Sequence, residues 1–254
     1  MPRALARGYL LMRLYKKMIH QVFRKTGYDF LRYSPENFVQ IRRIKTIRDG
    51  KIDVVVDVGA SEGYYVRELR DSGYRGRAVS FEPLLESFSA LMKNAVGDDR
   101  WICINAALGQ FDGESEIFVS GHKTSSSLLP MTNVHLAAMP SSATVQKQKV
   151  KLYALDSFLG DIIHLSERIF LKLDVQGYET LVLAGATQTL NQVYAIELEL
   201  SLKPLYQGAP DLHEMMNFLE ALCFAPVSFN HVFSDPISDH LLQMDGIFVR
   251  NINQ

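Results

Sequence analysis

From about residue 52 onward, apolar runs alternate with amphipathic stretches along the chain. The run 52–58 is short, rich in β-branched residues and followed by Gly59, which is typical of a strand buried on both faces of a sheet. Strands that alternate with helices predict right-handed crossovers and a mostly parallel sheet. The predicted strands are 52–58, 77–82, 101–107, 114–119, 150–155, 168–174, 193–200, 226–232 and 241–250; the predicted helices are 62–72, 84–97, 178–191 and one from the N-cap Asp211 to about Leu222.

The stretch 120–145 is less regular and is rich in Ser, Thr and Pro. It contains the serine run 125–127 and the sequence Pro140-Ser141-Ser142. A loop of this length inside a compact domain is usually functional or mobile. Two interpretations therefore stay open: a lid over an acceptor site, or a disordered excursion.

The N-terminal residues 5–26 predict a basic amphipathic helix. Its apolar stripe comprises Leu11, Leu14, Tyr15, Met18 and Val22, and its basic face comprises Arg13, Lys16, Lys17, His20 and Arg24. The helix either packs its stripe on the rest of the protein or lies on an anionic membrane surface. Nucleic-acid binding ranks third, because no aromatic–basic interleaving accompanies the charge.

Charge divides the chain more sharply than its net value of −1 suggests. Residues 1–48 hold 12 basic and 2 acidic residues, whereas residues 49–254 hold 15 basic and 26 acidic ones. We therefore predict a basic helical arm over 1–48 and one α/β domain over 49–254. With 47% hydrophobic and 22% charged residues the 254-residue chain has an ordinary globular composition, and no uncharged apolar run is long enough to predict a transmembrane helix.

The cysteine content and the N-terminus indicate a reducing compartment. Cys103 and Cys223 each stand in an apolar run, so we predict buried, reduced thiols. The N-terminus lacks the apolar core and cleavage site of a signal peptide. A cytoplasmic location is the expectation, with peripheral contact at the inner membrane surface as an added option.

The stretch Asp57-Val-Gly-Ala-Ser-Glu-Gly63, between a predicted strand and a helix, is the most informative motif. Glycines there permit a tight turn and a close approach of a ligand to the backbone. The Gly-Lys-Ser/Thr ending of a phosphate-binding loop is absent, and the G-x-x-x-G spacing differs from the G-x-G-x-x-G of dinucleotide sites. Asp57 would repel a diphosphate but suits a ligand with a cationic amine or sulfonium.

Glu82 stands at the carboxyl end of the next predicted strand. An acidic side chain there can accept hydrogen bonds from both hydroxyls of a ribose. The glycine loop and this carboxylate together predict an adenosyl ligand without a phosphate requirement, which is S-adenosylmethionine.

Six segments, in this order, resemble the FkbM family of methyltransferases over roughly residues 52–250. They are Asp57–Tyr65, Phe81–Pro83, Asn105–Gly109 with Asp112-Gly113, Leu155–Phe158, Phe170–Ala186 and Ile196–Leu198. The resemblance implies the class I methyltransferase fold, a Rossmann-like α/β fold with a mostly parallel seven-stranded sheet, its last strand antiparallel and helices on both faces. It also implies O-methylation of hydroxyls, on sugars of glycans and glycolipids or on polyketides.

The resemblance further assigns cofactor-binding positions. It places Asp57, Gly59 and Gly63 at the methionine end, Glu82 at the ribose and Asp174 beside the transferred methyl. The complete predicted set is Asp57, Gly59, Ala60, Ser61, Glu62, Gly63, Glu82, Pro83, Asn105, Ala106, Ala107 and Asp174, with 105–107 flanking the adenine. One departure matters: the family usually has Glu where this chain has Gln176, which puts in doubt any role of that acid in holding a metal or a hydroxyl.

A sugar hydroxyl is a poor nucleophile, so a base within hydrogen-bond reach would help its methylation. Asp174 is the first candidate and Glu179 the second, with His122 and His231 weaker. Each has a plainer alternative. In these alternatives Asp174 only orients the methionine amine, Glu179 charges the first turn of its helix, and the histidines make surface hydrogen bonds.

Glu197 and Glu199 point to one side of a strand, where they could bind Mg²⁺ alongside Asp174. Solvation at a strand end explains them equally well, so we predict no metal. The expected partner is a small-molecule, glycan or glycolipid acceptor. Nucleic acid is not expected, because an acidic domain repels a polyanion.

Overall fold

The computed structural model describes residues 3–29, 31–122 and 124–251, with the backbone alone for residues 3–12 and 14. Two compact units divide the sequence between Arg42 and Arg43, six residues before the predicted boundary at 48/49. The elements of the chain begin with helix α1 (Arg3–Arg24) and helix α2 (Val39–Asp49).

Helix α1 confirms the predicted N-terminal helix, shifted by two residues. Along it the basic Lys16 and Lys17 and the apolar Tyr15, Met18 and Val22 are all exposed. The side chains of Leu11 and Leu14, also assigned to the apolar stripe, lie outside the described residues. Among the helices that the structure describes, none combines the length and apolarity needed to cross a membrane.

The second unit alternates strands with helices as predicted. In chain order its strands are β1 (Val54–Val58), β2 (Arg77–Phe81), β3 (Trp101–Ile104), β4 (Ala107–Leu108), β5 (Gly113–Ser120), β6 (Thr144–Tyr153), β7 (Ile169–Leu173), β8 (Val193–Ser201), β9 (Phe224–Ser234) and β10 (Leu241–Arg250). Its further helices are α3 (Tyr64–Asp71), α4 (Leu85–Ala95), α5 (Asn133–Ala138), α6 (Glu179–Ala184) and α7 (Leu212–Ala221).

Seven of the described strands form one sheet in the order β3-β2-β1-β7-β8-β10-β9. Strands β1, β2, β3, β7 and β8 are parallel, while β10 is antiparallel to both of its neighbours. Every residue of the central β1 is buried, which explains its β-branched sequence. The mostly parallel, Rossmann-like sheet is thus confirmed, and the carboxyl ends of β1, β2 and β7 meet at one edge.

The described part of 120–145 is not a disordered excursion. It contains α5, a 3₁₀ helix (Pro140–Ser142) and the start of β6, and β6 pairs with β4 and β5 in a separate three-stranded sheet. The hydroxyl of Thr132 accepts a hydrogen bond from the His135 N–H and caps α5. Met131 and Ala138 pack in a buried apolar cluster with Tyr206, and this packing orders the segment.

The predicted helix 178–191 is much shorter in the structure. Helix α6 ends at Ala184, and a 3₁₀ helix (Thr189–Gln192) follows after a break. The carboxylate of Asp156 accepts hydrogen bonds from the Gln188 and Thr189 N–H groups, which favours a turn over a continuous helix. Gly185 lies close to Gly109, which directly follows β4. A Cβ at Gly185 would lie 2.0 Å from the Gly109 carbonyl oxygen, so a larger residue does not fit there.

The N-cap prediction at Asp211 is confirmed. Asp211 caps α7 in a reciprocal capping box with Glu214.

The prediction that both cysteines are buried is wrong. The thiols of Cys103 and Cys223 are free but partly exposed. Cys223 lies at a turn with a φ of +62°, directly before β9, and this turn leaves its side chain near the surface.

Candidate active site

The loop after β1 packs closely against the residue that follows β7. Gly59 and Gly63 have φ values of +77° and +85°, which favour glycine. The N–H groups of Gly59 and Ala60 both donate to the Phe81 carbonyl at 3.0 Å. A Cβ at Gly59 would lie 1.9 Å from the Asp174 carbonyl oxygen, so only glycine fits between the two strand ends.

Glu82, directly after β2, is buried beside this loop. Its Oε2 accepts from the Ser61 N–H at 2.8 Å and its Oε1 from the Leu84 N–H at 2.9 Å. Burial raises the pKa of Glu82 to about 7, although both backbone donors act in the opposite direction. Each oxygen retains a second acceptor site.

A cavity, which we call the first cavity, opens between this loop and the segment 124–128. Its wall contains the polar groups of Ser61, Glu82 and Asp174 and a larger apolar surface. The apolar part comprises Val58, Pro83, Leu84, Ala106, Ala107, Leu108, Ile117, Leu128, Val175 and the ring of Tyr178.

Asn105 lies next to the first cavity but does not line it. Its Nδ2 donates to the carbonyls of Glu82 and Pro83, at 2.9 and 3.1 Å. It therefore fixes the backbone that carries Glu82, while its neighbours Ala106 and Ala107 form part of the wall. Direct contact between Asn105 and a cofactor stays a prediction.

Asp57 and Asp174 are joined through Lys172 of β7. The Lys172 Nζ lies 3.4 Å from Asp57 Oδ1 and 3.2 Å from Asp174 Oδ2. Burial alone would lower the pKa of Lys172, but the charges of Asp174 and Asp57 raise it above its usual value. Asp57 is fully buried and contacts Ser80, so it supports the loop from behind and is absent from the cavity wall.

Asp174 occupies the wall between the first cavity and a second, wider depression, which we call the cleft. Its side chain retains 36% of its accessible surface. Residues shared by both walls are Gly59, Ser61, Thr124 and Asp174. The two spaces are therefore adjacent, and the Asp174 carboxylate faces their boundary.

The cleft is rich in carboxylates. Its wall carries the acidic residues Glu62, Glu68, Asp71, Asp174, Glu197, Glu199 and Asp245, the basic residues Arg43, Arg67 and Lys172, and the aromatic residues Tyr64 and Tyr65. Burial, followed by the charge of Glu197, raises the pKa of Asp245 to about 7. The ring of Tyr64 is exposed at the wall.

A buried ion pair underlies part of the cleft. The guanidinium of Arg43 donates to both oxygens of Glu197, at 2.7 and 2.6 Å. Glu197 also accepts from the Tyr65 hydroxyl at 2.8 Å. Glu197 therefore uses its oxygens within the protein, which leaves it poorly placed to bind a metal ion. Within the described residues, no group of three or more acidic, His or Cys side chains is arranged to hold one.

The three other candidate bases do not line the first cavity or the cleft. Glu179 is buried at the start of α6, where it accepts from the Gly177 N–H at 3.2 Å, and burial raises its pKa to about 7. His122 has Thr124 and Ser125 as neighbours, and His231 on β9 contacts Ser234. None of the three lines a cavity wall. Their catalytic roles stay predictions without geometric support.

A family model for the methyltransferase FkbM domain matches residues 57–225. The chain belongs to the FkbM methyltransferase family. The match begins at Asp57, near the end of β1, and runs through α7 to the start of β9, so it includes the glycine loop, Glu82 and Asp174. A search of curated proteins finds none that matches the chain.

Solved methyltransferase structures are similar to this chain at low sequence identity. Methyltransferase FkbM from Methylobacillus flagellatus is 16% identical with a TM-score of 0.47, over 85% of this chain and 45% of that one. A putative RNA methyltransferase from Pyrococcus horikoshii is 10% identical, with a TM-score of 0.45 over 84% of each chain. TehB from Haemophilus influenzae is 8% identical, with a TM-score of 0.43 over 83% of this chain and 62% of that one. The present chain thus spans less than half the length of the FkbM protein it resembles.

Sequence reasoning missed several residues that this FkbM family member brings to the site. Lys172 was visible as a lone charge in an apolar strand, which indicates a buried partner. Arg43 was assigned to the basic arm by charge counting alone. Tyr65 gave no signal beyond its place near a glycine loop.

Proposed function

We propose that this chain is an S-adenosylmethionine-dependent O-methyltransferase that modifies a sugar hydroxyl in a glycan or glycolipid. Family membership makes it a methyltransferase and implies S-adenosylmethionine as the cofactor. The observation that carries the finer proposal is the Asp174 carboxylate between the first cavity and an acidic cleft.

The wall of the first cavity suits an adenosyl ligand in its chemistry. It is mostly apolar with a few polar groups, as is usual for small-molecule sites. The buried Glu82 keeps one acceptor site on each oxygen, which matches the two hydroxyls of a ribose.

In this proposal Glu82 holds the ribose, and Ala106 and Ala107 flank the adenine. The loop 59–63 and Asp174 hold the methionine end, and Asp57 orders that loop from behind through Lys172. When bound, S-adenosylmethionine supplies an electrophilic methyl group on its sulfonium. The protein contributes alignment of the acceptor, which can account for a large part of the acceleration.

The chemistry of the cleft favours a polyhydroxylated acceptor. Carboxylates accept hydrogen bonds from sugar hydroxyls, and the exposed ring of Tyr64 offers an apolar face for a sugar ring. The excess of acidic groups disfavours a phosphate-rich polymer such as nucleic acid. The segment 124–128, which borders both spaces, is proposed to cover the bound acceptor.

Asp174 is proposed as the general base. It would accept the proton of the sugar hydroxyl as that oxygen becomes an ether oxygen. Its place in the wall between the two spaces supports this role over that of Glu179, His122 or His231.

Mass spectrometry of cell-envelope glycans, with and without the protein, tests this proposal. We expect sugars that gain one methyl group only when the protein is present. Methylation of a polyketide or another small metabolite, and not of a sugar, would show that the proposed acceptor class is wrong. Binding of S-adenosylhomocysteine without transfer to any acceptor would indicate a non-catalytic binding module.

We also propose that α1 brings the enzyme to anionic membrane surfaces, where lipid-linked acceptors reside. The exposed Lys16, Lys17, Met18 and Val22 support this proposal, because such a surface combines negative charge with an apolar layer.

A further inference from the structure

The side chain of Gln176 connects two carboxylates of the cleft. Its Nε2 donates to Asp174 Oδ1 at 2.8 Å and to Glu199 Oε2 at 2.8 Å. Its Oε1 lies 2.7 Å from the Tyr206 hydroxyl, which donates to it. The side chain is 7% exposed, so water competes little for these groups.

The chemistry of its partners fixes the amide in this orientation. Two carboxylates face the amide nitrogen and a hydroxyl donor faces the amide oxygen. Turning the amide over would place its oxygen against two carboxylate oxygens, which is unfavourable in a buried site. The amide of Gln176 therefore has one favourable orientation in this site.

The backbone of Gln176 is fixed as well. Its φ is +56°, and its carbonyl accepts from the Ser127 hydroxyl at 2.7 Å. The following Gly177 has a φ of +93°, and a Cβ there would lie 2.9 Å from the Ala209 Cβ. This turn is thus tied both to segment 124–128 and to the chain after β8.

Two partly buried carboxylates that approach each other need a proton, a cation or a shared donor between them. The cation Lys172 lies 3.2 Å from Asp174 Oδ2, while Gln176 donates to Oδ1. Burial, followed by the charge of Asp174, raises the pKa of Glu199 well above its usual value. A neutral amide that donates to both groups holds them together without adding charge.

We propose that Gln176 is a positioning residue that holds the Asp174 carboxylate in the wall between the first cavity and the cleft and keeps it available as a proton acceptor. This inference rests on the proposed function, in which Asp174 is the base. It concerns a residue that acts through Asp174, at a position where this chain departs from the family's usual Glu.

The variant Gln176→Glu tests the inference. It replaces the shared donor by a third carboxylate, which increases the affinity of Asp174 for a proton. At saturating cofactor, the acid limb of the pH–rate profile should move to higher pH by about one unit or more, so the rate on that limb falls about tenfold. A purely structural role would lower the rate by the same factor at every pH.

Two further variants serve as controls. Gln243→Glu adds a carboxylate at the 3.2 Å contact with Glu199 without touching Asp174, so the acid limb should stay within about 0.3 unit of wild type. In the Gln176→Glu background, Glu199→Gln restores one amide and two carboxylates. This double variant should move the acid limb back toward its wild-type position.

Thermal melting adds a readout that needs no acceptor. The melting temperature of Gln176→Glu should fall further below wild type as the pH rises from about 5 to about 8, since the added carboxylate becomes charged. An unshifted acid limb, or a melting difference independent of pH, would overturn the positioning role. Failure of the proposed function is visible separately, as wild-type protein that binds S-adenosylhomocysteine but methylates no sugar, and it would overturn both claims.

Discussion

At the scale of single residues, two close approaches determine the geometry of the site. Gly59 allows the chain after β1 to pack directly against the carbonyl at the end of β7. Each carboxylate oxygen of Glu82 accepts one hydrogen bond from the backbone and keeps one acceptor site free. Both features are local, and each can be removed by one substitution.

Gly59→Ala should destabilise the protein and abolish cofactor binding, because the new Cβ would overlap the Asp174 carbonyl. Gly97→Ala is the matched control: Gly97 has a φ of +88° but nothing within 4 Å of its Cβ position. The control should lose only about 1–2 kcal/mol of stability, from placing a Cβ at a positive φ, and should bind S-adenosylhomocysteine like wild type. Urea unfolding and calorimetry with S-adenosylhomocysteine measure both effects; equal losses in the two variants would contradict the close approach.

Glu82 should make cofactor affinity depend on pH. A ribose donates to the carboxylate form, so below the pKa of about 7 binding must expel a proton. We expect the affinity for S-adenosylhomocysteine to fall by up to about tenfold per pH unit below pH 7. Glu82→Gln should bind about 10–100-fold more weakly at pH 8 and lose this dependence. A pH-independent wild-type affinity would count against a ribose at Glu82.

At the scale of elements, Arg43 ties α2 to β8 through Glu197. Arg43→Met should cost about 3–5 kcal/mol in the free energy of unfolding, because it leaves the buried Glu197 carboxylate without its cationic partner. On the same helix, Lys45 forms an exposed pair with Asp49, so Lys45→Met should cost less than about 1 kcal/mol. Similar costs in urea unfolding would show that the buried pair is unimportant.

The main sheet was predictable because its central strands are buried on both faces, so that their sequences are continuous apolar runs. The second sheet was not, because β4 has only two residues and most of β6 is exposed. The candidate site followed from Gly59, Glu82 and Asp174, which stand at strand ends. The ion pair of Arg43 could not be predicted, because Glu197 is far away in sequence. Gln176 was recognised only as a departure from the family, because its contacts depend on a left-handed turn.

At the scale of the whole molecule, the sequence separates a basic segment from an acidic one. If α1 binds membranes, the full chain should sediment with anionic vesicles and remain in solution with zwitterionic ones. Replacing Lys16 and Lys17 by Glu reverses two exposed charges and should lower the bound fraction several-fold, given about 1 kcal/mol per basic residue near the surface. The matched control replaces Lys147 and Lys149 of β6 by Glu, and equal losses in the two variants would exclude a specific role for α1.

The central claim is that Asp174 removes a proton from a sugar hydroxyl during methyl transfer. The most direct measurement is the rate of labelled methyl transfer from S-adenosylmethionine to a glycan acceptor by wild type, Asp174→Asn and the surface control Glu220→Gln. The amide can still accept from Lys172 but is a far weaker base. We predict a rate lower by about 10²–10⁴-fold for Asp174→Asn, with S-adenosylhomocysteine affinity retained and the control at the wild-type rate. Wild-type transfer by Asp174→Asn would contradict the account.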